Sequence, residues 1–161
     1  MSDAASASPA GRTPAGEALT ALVLRTFRLN GLFLEVAEEL ARPAGLTAAR
    51  WQVLGAVLPG PLTVSGVARV MGLTRQSVQR LADALVEDGM AEFVPNPAHR
   101  RARLLQPTAA GWAGIDILRP RQHAWTHRVM REIDTDELRR AVATIDRVIA
   151  ALEDGDPAEE G

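Results

Sequence analysis

Residues 62–108 read LTVSGVARVMGLTRQSVQRLADALVEDGMAEFVPNPAHRRARLLQPT, and this stretch decides the fold. Thr63 and Thr74 each stand directly before a short apolar-periodic run. There a side-chain oxygen accepts from an N–H that the first helical turn leaves without a partner. The first run turns Val67, Ala68 and Val70 inward. It is followed by Gly72, which tolerates the left-handed backbone of a helix C-terminus, and by Leu73 as a buried turn residue. The second run puts Val78, Leu81, Ala82 and Leu85 on one face and Arg75, Gln76, Gln79, Arg80 and Asp83 on the opposite one, and it stops at Gly89. Two short helices joined by a tight glycine-containing turn are a helix-turn-helix. Two strands are predicted next, over 91–94 and 101–106. The segment between them, Pro95-Asn96-Pro97-Ala98-His99-Arg100, holds two prolines that cannot donate to a ladder, so it forms a hairpin tip. A hairpin directly after a helix-turn-helix is a wing.

Working outward, a long helix is expected from Ala15 to Arg42. Leu19, Leu22, Val23, Phe27, Leu34 and Ala37 form one stripe on it, and Leu29, Leu32, Phe33, Val36 and Leu40 form a second. A helix apolar on two sides needs two partners, one of which can be a second subunit. Pro43 and Gly45 end it. Thr47 caps a following helix, with Leu46 and Trp51 spaced as a hydrophobic staple. Leu54, Val57 and Leu58 form its buried face, and Pro59-Gly60-Pro61 stops it. Thr108 caps a helix with Trp112, Ile115, Leu118, Trp125 and Val129 inward, which Pro120 should kink or split. The last helix starts at Thr135, and Leu138, Val142, Ile145, Ile149 and Leu152 make a seam for a partner helix. The organisation is a disordered tail over 1–14, dimerisation and linking helices over 15–61, a winged lobe over 62–108, C-terminal dimerisation helices over 109–153 and an acidic tail over 154–161.

The chain has 161 residues, 47% of them hydrophobic and 24% charged, with a formal net charge of −2. That suits a globular chain of one ordinary domain, or one domain plus an extension. It contains no cysteine, which excludes disulfides, thiolate metal sites and cysteine nucleophiles. No segment approaches the ~20 apolar residues of a membrane span, and the first residues lack the apolar core of a secretory signal, so a cytoplasmic protein is expected. All 18 basic residues are arginine. With the abundant alanine and glycine this fits a GC-rich coding bias, and arginine content alone says nothing about phosphate recognition.

The strings Leu62 to Ala68, Met71 to Val78 and Leu81 to Gly89 carry a family likeness, completed by Asn96 to Ala102 in the wing and Gln106 to Gly111 beyond it. From about Leu19 to Leu152 the chain resembles the MarR family of winged helix-turn-helix regulators. The resemblance implies a mainly α fold with a small β-hairpin wing and an obligate homodimer whose helical dimerisation region is built from both chain ends. It further implies two winged lobes on a pseudo-palindromic operator and repression of nearby genes, often relieved by a small phenolic or other aromatic ligand. One position departs from the family pattern. An Asp usually stands before the wing arginine pair, where it can brace a guanidinium, and here that position is His99. Glu92 or Asp88 could supply the brace instead.

On this reading the partner is double-stranded DNA. Arg75, Gln76, Gln79 and Arg80 offer base-reading groups, Arg for the O6/N7 edge of guanine and Gln for the N6/N7 edge of adenine. Thr74, Ser77 and Ser65 suit phosphate. Arg100, Arg101 and Arg103 would follow the backbone or enter the minor groove. Within Leu62 to Thr108, six arginines face four acids (Asp83, Glu87, Asp88 and Glu92), which leaves the lobe about +2. A polar helix face is usually only a solvated surface, but such a face mixes acids through its first turns, and here the first acid is Asp83.

Phe27, Arg28 and Trp51 are the candidates for an effector pocket, with Trp112, Trp125 and Arg25 behind them. Core packing is the plainer role for the tryptophans and an ion pair for Arg28. His123 and His127 stand at i, i+4, with Asp116 or Asp134 as a further ligand, but nothing else supports a metal. No cofactor and no enzymatic activity are expected, for there is no phosphate-binding glycine motif, activated serine or paired carboxylate. The alternative function is a winged helix that binds protein without reading DNA. Such a surface would present aromatic or aliphatic anchors, whereas this helix and wing present Arg, Gln, Thr and Ser.

Overall fold

The computed structural model describes residues 13–154. Helix α1 spans Pro14–Ala41. Its cap is Thr13, whose Oγ1 accepts from the Gly16 N–H, and Pro14 occupies the first turn, where no N–H is needed. The helix therefore begins one residue before the expected start. The rest of the expected N-terminal tail, and the C-terminal tail past Asp154, lie outside the described residues. A 3₁₀ turn over Arg42–Ala44 and Gly45 at φ 70° lead into α2, Ala48–Ala56, capped by Thr47. Then come β1 (Leu62–Thr63), α3 (Val64–Met71), α4 (Arg75–Glu87), β2 (Ala91–Val94), β3 (Leu104–Pro107), α5 (Ala109–Val129) and α6 (Thr135–Asp154). The chain divides after Ile115 into two units.

In the first unit α2, α3 and α4 pack around Val53, Leu54, Val57, Val67, Val78, Ala82 and Leu85, all at 1% exposure or less. Leu46, half of the expected staple, is buried. The three strands form one antiparallel sheet in the order β1-β3-β2, with Val94 opposite Leu104 and Ala91 opposite Pro107. Leu105 lies at the centre of β3, opposite both Leu62 and Phe93, and is fully buried. In the second unit α6 has no buried residue. Its N-terminus is held by Asp134, whose Oδ1 accepts from the Asp136 and Glu137 N–H groups at 3.0 Å.

Several expectations are corrected. The second wing strand is Leu104–Pro107, so Arg101, Ala102 and Arg103 belong to the loop. A two-residue strand, β1, pairs with β3. Val70 is 69% exposed, because the inward row of α3 runs Val64, Val67, Ala68 and leaves Val70 off it. Leu73 is 39% exposed, since the turn leaves its side chain at the surface. Trp112 is 41% exposed, while Ile115 and Leu118 are buried. Of the kink or split expected at Pro120, the split does not occur, because α5 runs unbroken through it: proline removes one ladder bond, and the turns on either side carry the helix through.

The junction between wing and α5 is tight. Thr108 donates its backbone N–H to the Met90 carbonyl at 3.1 Å and its hydroxyl to the Gly89 carbonyl at 2.6 Å. The Thr108 Oγ1 in turn accepts from the Gly111 N–H at 3.2 Å. A Cβ on Gly111 would come within 2.1 Å of the Met90 oxygen. Gly111→Ala is therefore expected to destabilise the fold by about 2–3 kcal/mol, the scale of an overpacked interior site. Urea unfolding followed by circular dichroism measures it, and an unchanged midpoint would contradict this close approach.

Candidate nucleic-acid interface

Helix α4 owes its start to Thr74. That residue is extended (φ −71°, ψ 145°), its Oγ1 accepts from the Ser77 N–H at 3.2 Å, and its hydroxyl donates to the Ser77 Oγ at 2.9 Å. The turn before it is made possible by Gly72 at φ 61°, and Gly89 at φ 70° lets the chain leave α4 for β2. No acid lies in the first turn of α4, so the positive end of its dipole is left uncompensated. Val78, Ala82 and Leu85 are buried, which turns Arg75, Gln76 and Arg80 outward.

A concave cleft of about 370 Å³ opens between α4 and the wing. It is lined by Thr63, Val64 and Ser65 from the start of α3, by Arg75, Gln79 and Asp83 from α4, and by Phe93, Arg101, Ala102 and Arg103 from the wing. Five of the sequence-predicted residues, Ser65, Arg75, Gln79, Arg101 and Arg103, thus meet at one surface. Thr74, Gln76, Ser77 and Arg80 belong to the same helix without lining the cleft, and Arg100 is exposed in the wing loop. Gln79 donates from Nε2 to the Asp83 Oδ1 at 2.8 Å. An ionised carboxylate only accepts, so this bond fixes which end of the Gln79 amide is nitrogen. The amide oxygen and a second N–H remain for a partner.

The wing tip is held by its own backbone. Asn96 Oδ1 accepts from the Ala98 N–H at 3.0 Å, the Asn96 carbonyl accepts from the His99 N–H at 3.3 Å, and the His99 carbonyl accepts from the Ala102 N–H at 3.1 Å. Neither carboxylate expected as a substitute brace reaches a wing arginine. Asp88 pairs with Arg50 at 2.6 Å, and Glu92 accepts from the Gln106 amide at 2.8 Å. Arg103 is engaged within the wing, donating from Nη2 to the Phe93 carbonyl, with its guanidinium 5.5 Å from the centre of the Phe93 ring. Sequence reasoning missed both Arg50–Asp88 and Arg103–Phe93, whose partners are 38 and 10 residues apart. Among the described residues Arg75, Arg80, Arg100 and Arg101 make no ion pair.

The effector candidates are not gathered in the same way. Phe27 is 71% exposed on α1, Arg28 is exposed beside it, and Trp51 is half-buried on α2. A second, more open cleft is lined instead by Leu34, Glu35, Glu38, Glu39, Arg42, Thr47, Ala48 and Ala49. There the Glu38 carboxylate accepts from the Ala48 N–H at 2.7 Å, adding a second cap to α2. On α5, His123 and His127 are exposed. Asp116 pairs with Arg119 at 3.2 Å, and Asp134 caps α6. Among the described residues no group of three or more His, Cys, Asp and Glu side chains is placed to hold a metal, and no helix is long and apolar enough to cross a membrane.

A helix-turn-helix with a three-stranded wing and long flanking helices is the architecture of a winged-helix regulator. A sequence model of the MarR family matches residues 44–102. The chain is 38% identical over 131 residues to the uncharacterized protein Rv2011c of Mycobacterium tuberculosis, covering 81% of this chain and 92% of that one. The fold is similar to that of CouR from Rhodococcus jostii RHA1, solved bound to p-coumaroyl-CoA, with a TM-score of 0.71 and 24% identity over 79% of this chain and 90% of that one. It is also similar to the M. tuberculosis transcriptional regulator MosR, solved in complex with DNA, with a TM-score of 0.67 and 22% identity over 81% and 96%. The chain belongs to the MarR family of transcription regulators.

Thr74 carries the start of α4, so Thr74→Ala should cost about 1 kcal/mol of stability and Thr74→Ser almost nothing. Thermal unfolding of the two variants measures this, and equal losses would show that the hydroxyl does not act as a cap.

Proposed function

We propose that the protein is a sequence-specific DNA-binding regulator that works in the cytoplasm as a homodimer, and that it represses genes whose operator overlaps a promoter. The observation that carries this is the cleft in which Ser65, Arg75 and Gln79 meet Arg101, beside arginines that no acid neutralises among the described residues. A rod of phosphate charge is the partner that such a surface favours most. α4 would enter the major groove, with Arg75, Gln76, Gln79 and Arg80 toward base edges and Thr74, Ser77 and Ser65 toward phosphate. Arg100 and Arg101 would follow the flanking backbone.

The dimer rests on apolar surface. On α1, Val23, Leu24, Phe27, Leu29, Leu32 and Phe33 are each more than 40% exposed, and on α6 Leu138, Val142, Ile145, Ile149 and Leu152 are too. Stripes of this size on both terminal helices call for a second copy. Two copies related by a two-fold axis would read a pseudo-palindrome. The ligand of CouR gives a chemical class for an effector, an aromatic acid derivative; Phe27, Arg28 and Trp51 are the residues proposed for it, and since they line neither described cleft of one copy, the second copy would have to complete the site.

Selection of bound duplexes from a random pool tests the reading, and an inverted repeat is the expected product. Against that duplex, Arg75→Ala or Gln79→Ala should relax base preference by about 1–3 kcal/mol at one position per half-site. Arg100→Ala should weaken all duplexes alike and flatten the salt dependence by roughly 0.9 for each phosphate it no longer neutralises. A pool that shows no enrichment would contradict the proposal. Separately, Ile145→Glu is expected to give a monomer by sedimentation, where an unchanged dimer would remove α6 from the interface.

A further inference from the structure

The wing has a difficulty that its sequence creates. Strand β2 ends at Val94, opposite Leu104, and the next residue is Pro95. Proline has no N–H, so it cannot donate to a continued ladder. Beyond that point the loop carries Arg100 and Arg101. No acid stands directly before that pair, where the residue is His99, and the nearby carboxylates Asp88 and Glu92 are engaged elsewhere.

Arg103 stands one residue before β3, where the ladder stops. Its Nη2 donates back to the Phe93 carbonyl on β2, and the guanidinium lies over the Phe93 ring at 5.5 Å. One side chain thus ties both strands at the foot of the tip, through a charge-assisted hydrogen bond and a cation–π contact. Phe93 is half-buried and faces Leu105, the buried centre of β3, so the anchor is attached to the core. Arg103 and Phe93 also line the cleft together with Arg101 and Arg75.

We infer that Arg103 is a positioning residue, a strut that locks the wing to Phe93 and sets the reach of Arg100 and Arg101, and that it is not itself a phosphate contact. This rests on the DNA-binding reading for its consequence, but not for its structural part. Arg is needed because a planar fork can bond a carbonyl while stacking on a ring, which a lysine ammonium does less well.

The test uses the full-length protein and has two arms. The first is amide hydrogen exchange over residues 95–103 without DNA. Arg103→Ala and Arg103→Lys should both speed exchange about 10-fold, while Arg100→Ala leaves it unchanged. The second is fluorescence anisotropy on the selected duplex across a salt series. Arg103→Ala and Arg103→Lys should both weaken binding about 10-fold with the salt slope unchanged, whereas Arg101→Ala should flatten the slope. Phe93→Leu, which removes the ring but keeps the backbone carbonyl and all charge, should speed exchange and weaken binding by a smaller factor than Arg103→Ala, with the salt slope unchanged. If Arg103→Lys binds as the unsubstituted chain does, or if Arg103→Ala flattens the slope with exchange unchanged, Arg103 is a phosphate contact and the inference is overturned. If the unsubstituted chain binds no duplex, the functional reading fails and exchange alone decides: faster exchange in both Arg103 variants supports the strut, and unchanged exchange overturns it.

Discussion

The winged lobe depends on the junction where α4, both wing strands and α5 meet. Thr108 holds the carbonyls of Gly89 and Met90, and Gly111 lies so close to the Met90 oxygen that no side chain fits. The first ladder pair of the wing, Ala91 with Pro107, is the residue pair next to this knot. The hairpin therefore leaves the body at one fixed place. The spacing between α4 and the wing is set by hydrogen bonds and steric contact rather than by a flexible linker. The proposed fit to a duplex needs that kind of fixed spacing.

Charge placement follows from the same packing. The whole chain is slightly acidic, at −2, yet the winged lobe keeps basic charge available. Two of its four acids are engaged outside the cleft, Asp88 by Arg50 and Glu92 by Gln106, while Asp83 lines the cleft and accepts from Gln79. As exposed or half-exposed interactions these add little to stability, of the order of 0–1 kcal/mol each. Their effect lies in where they leave the positive potential. Arg75 and Arg101 line the cleft together, and they, with Arg80 and Arg100, have no acidic partner among the described residues.

Much of this was legible in the sequence wherever the signal is local. The caps at Thr47, Thr63, Thr74 and Thr108 act within three residues of themselves, so a hydroxyl before an apolar run suffices to find them. Gly72 and Gly89 declare their turns for the same reason. What failed to show was non-local or depended on direction. Strand β1 is two residues long and exists because β3, some forty residues on, pairs with it. Val70 and Leu73 are apolar, but apolarity does not say which way a residue faces at the end of a short helix. The gathering of Ser65 with Arg75, Gln79 and Arg101 was expected from the family resemblance and from the polar face of α4. The diversion of Arg103 to Phe93 was not, because a side chain bonding across a hairpin leaves no periodic trace.

The central claim is specific DNA binding by this lobe. Fluorescence anisotropy of the unsubstituted protein on its own upstream intergenic DNA and on a scrambled duplex of equal length, at several salt concentrations, tests it most directly. The account predicts salt-sensitive binding with a preference of ~10³ or more for the upstream duplex. Absence of binding to either duplex at low salt would contradict it.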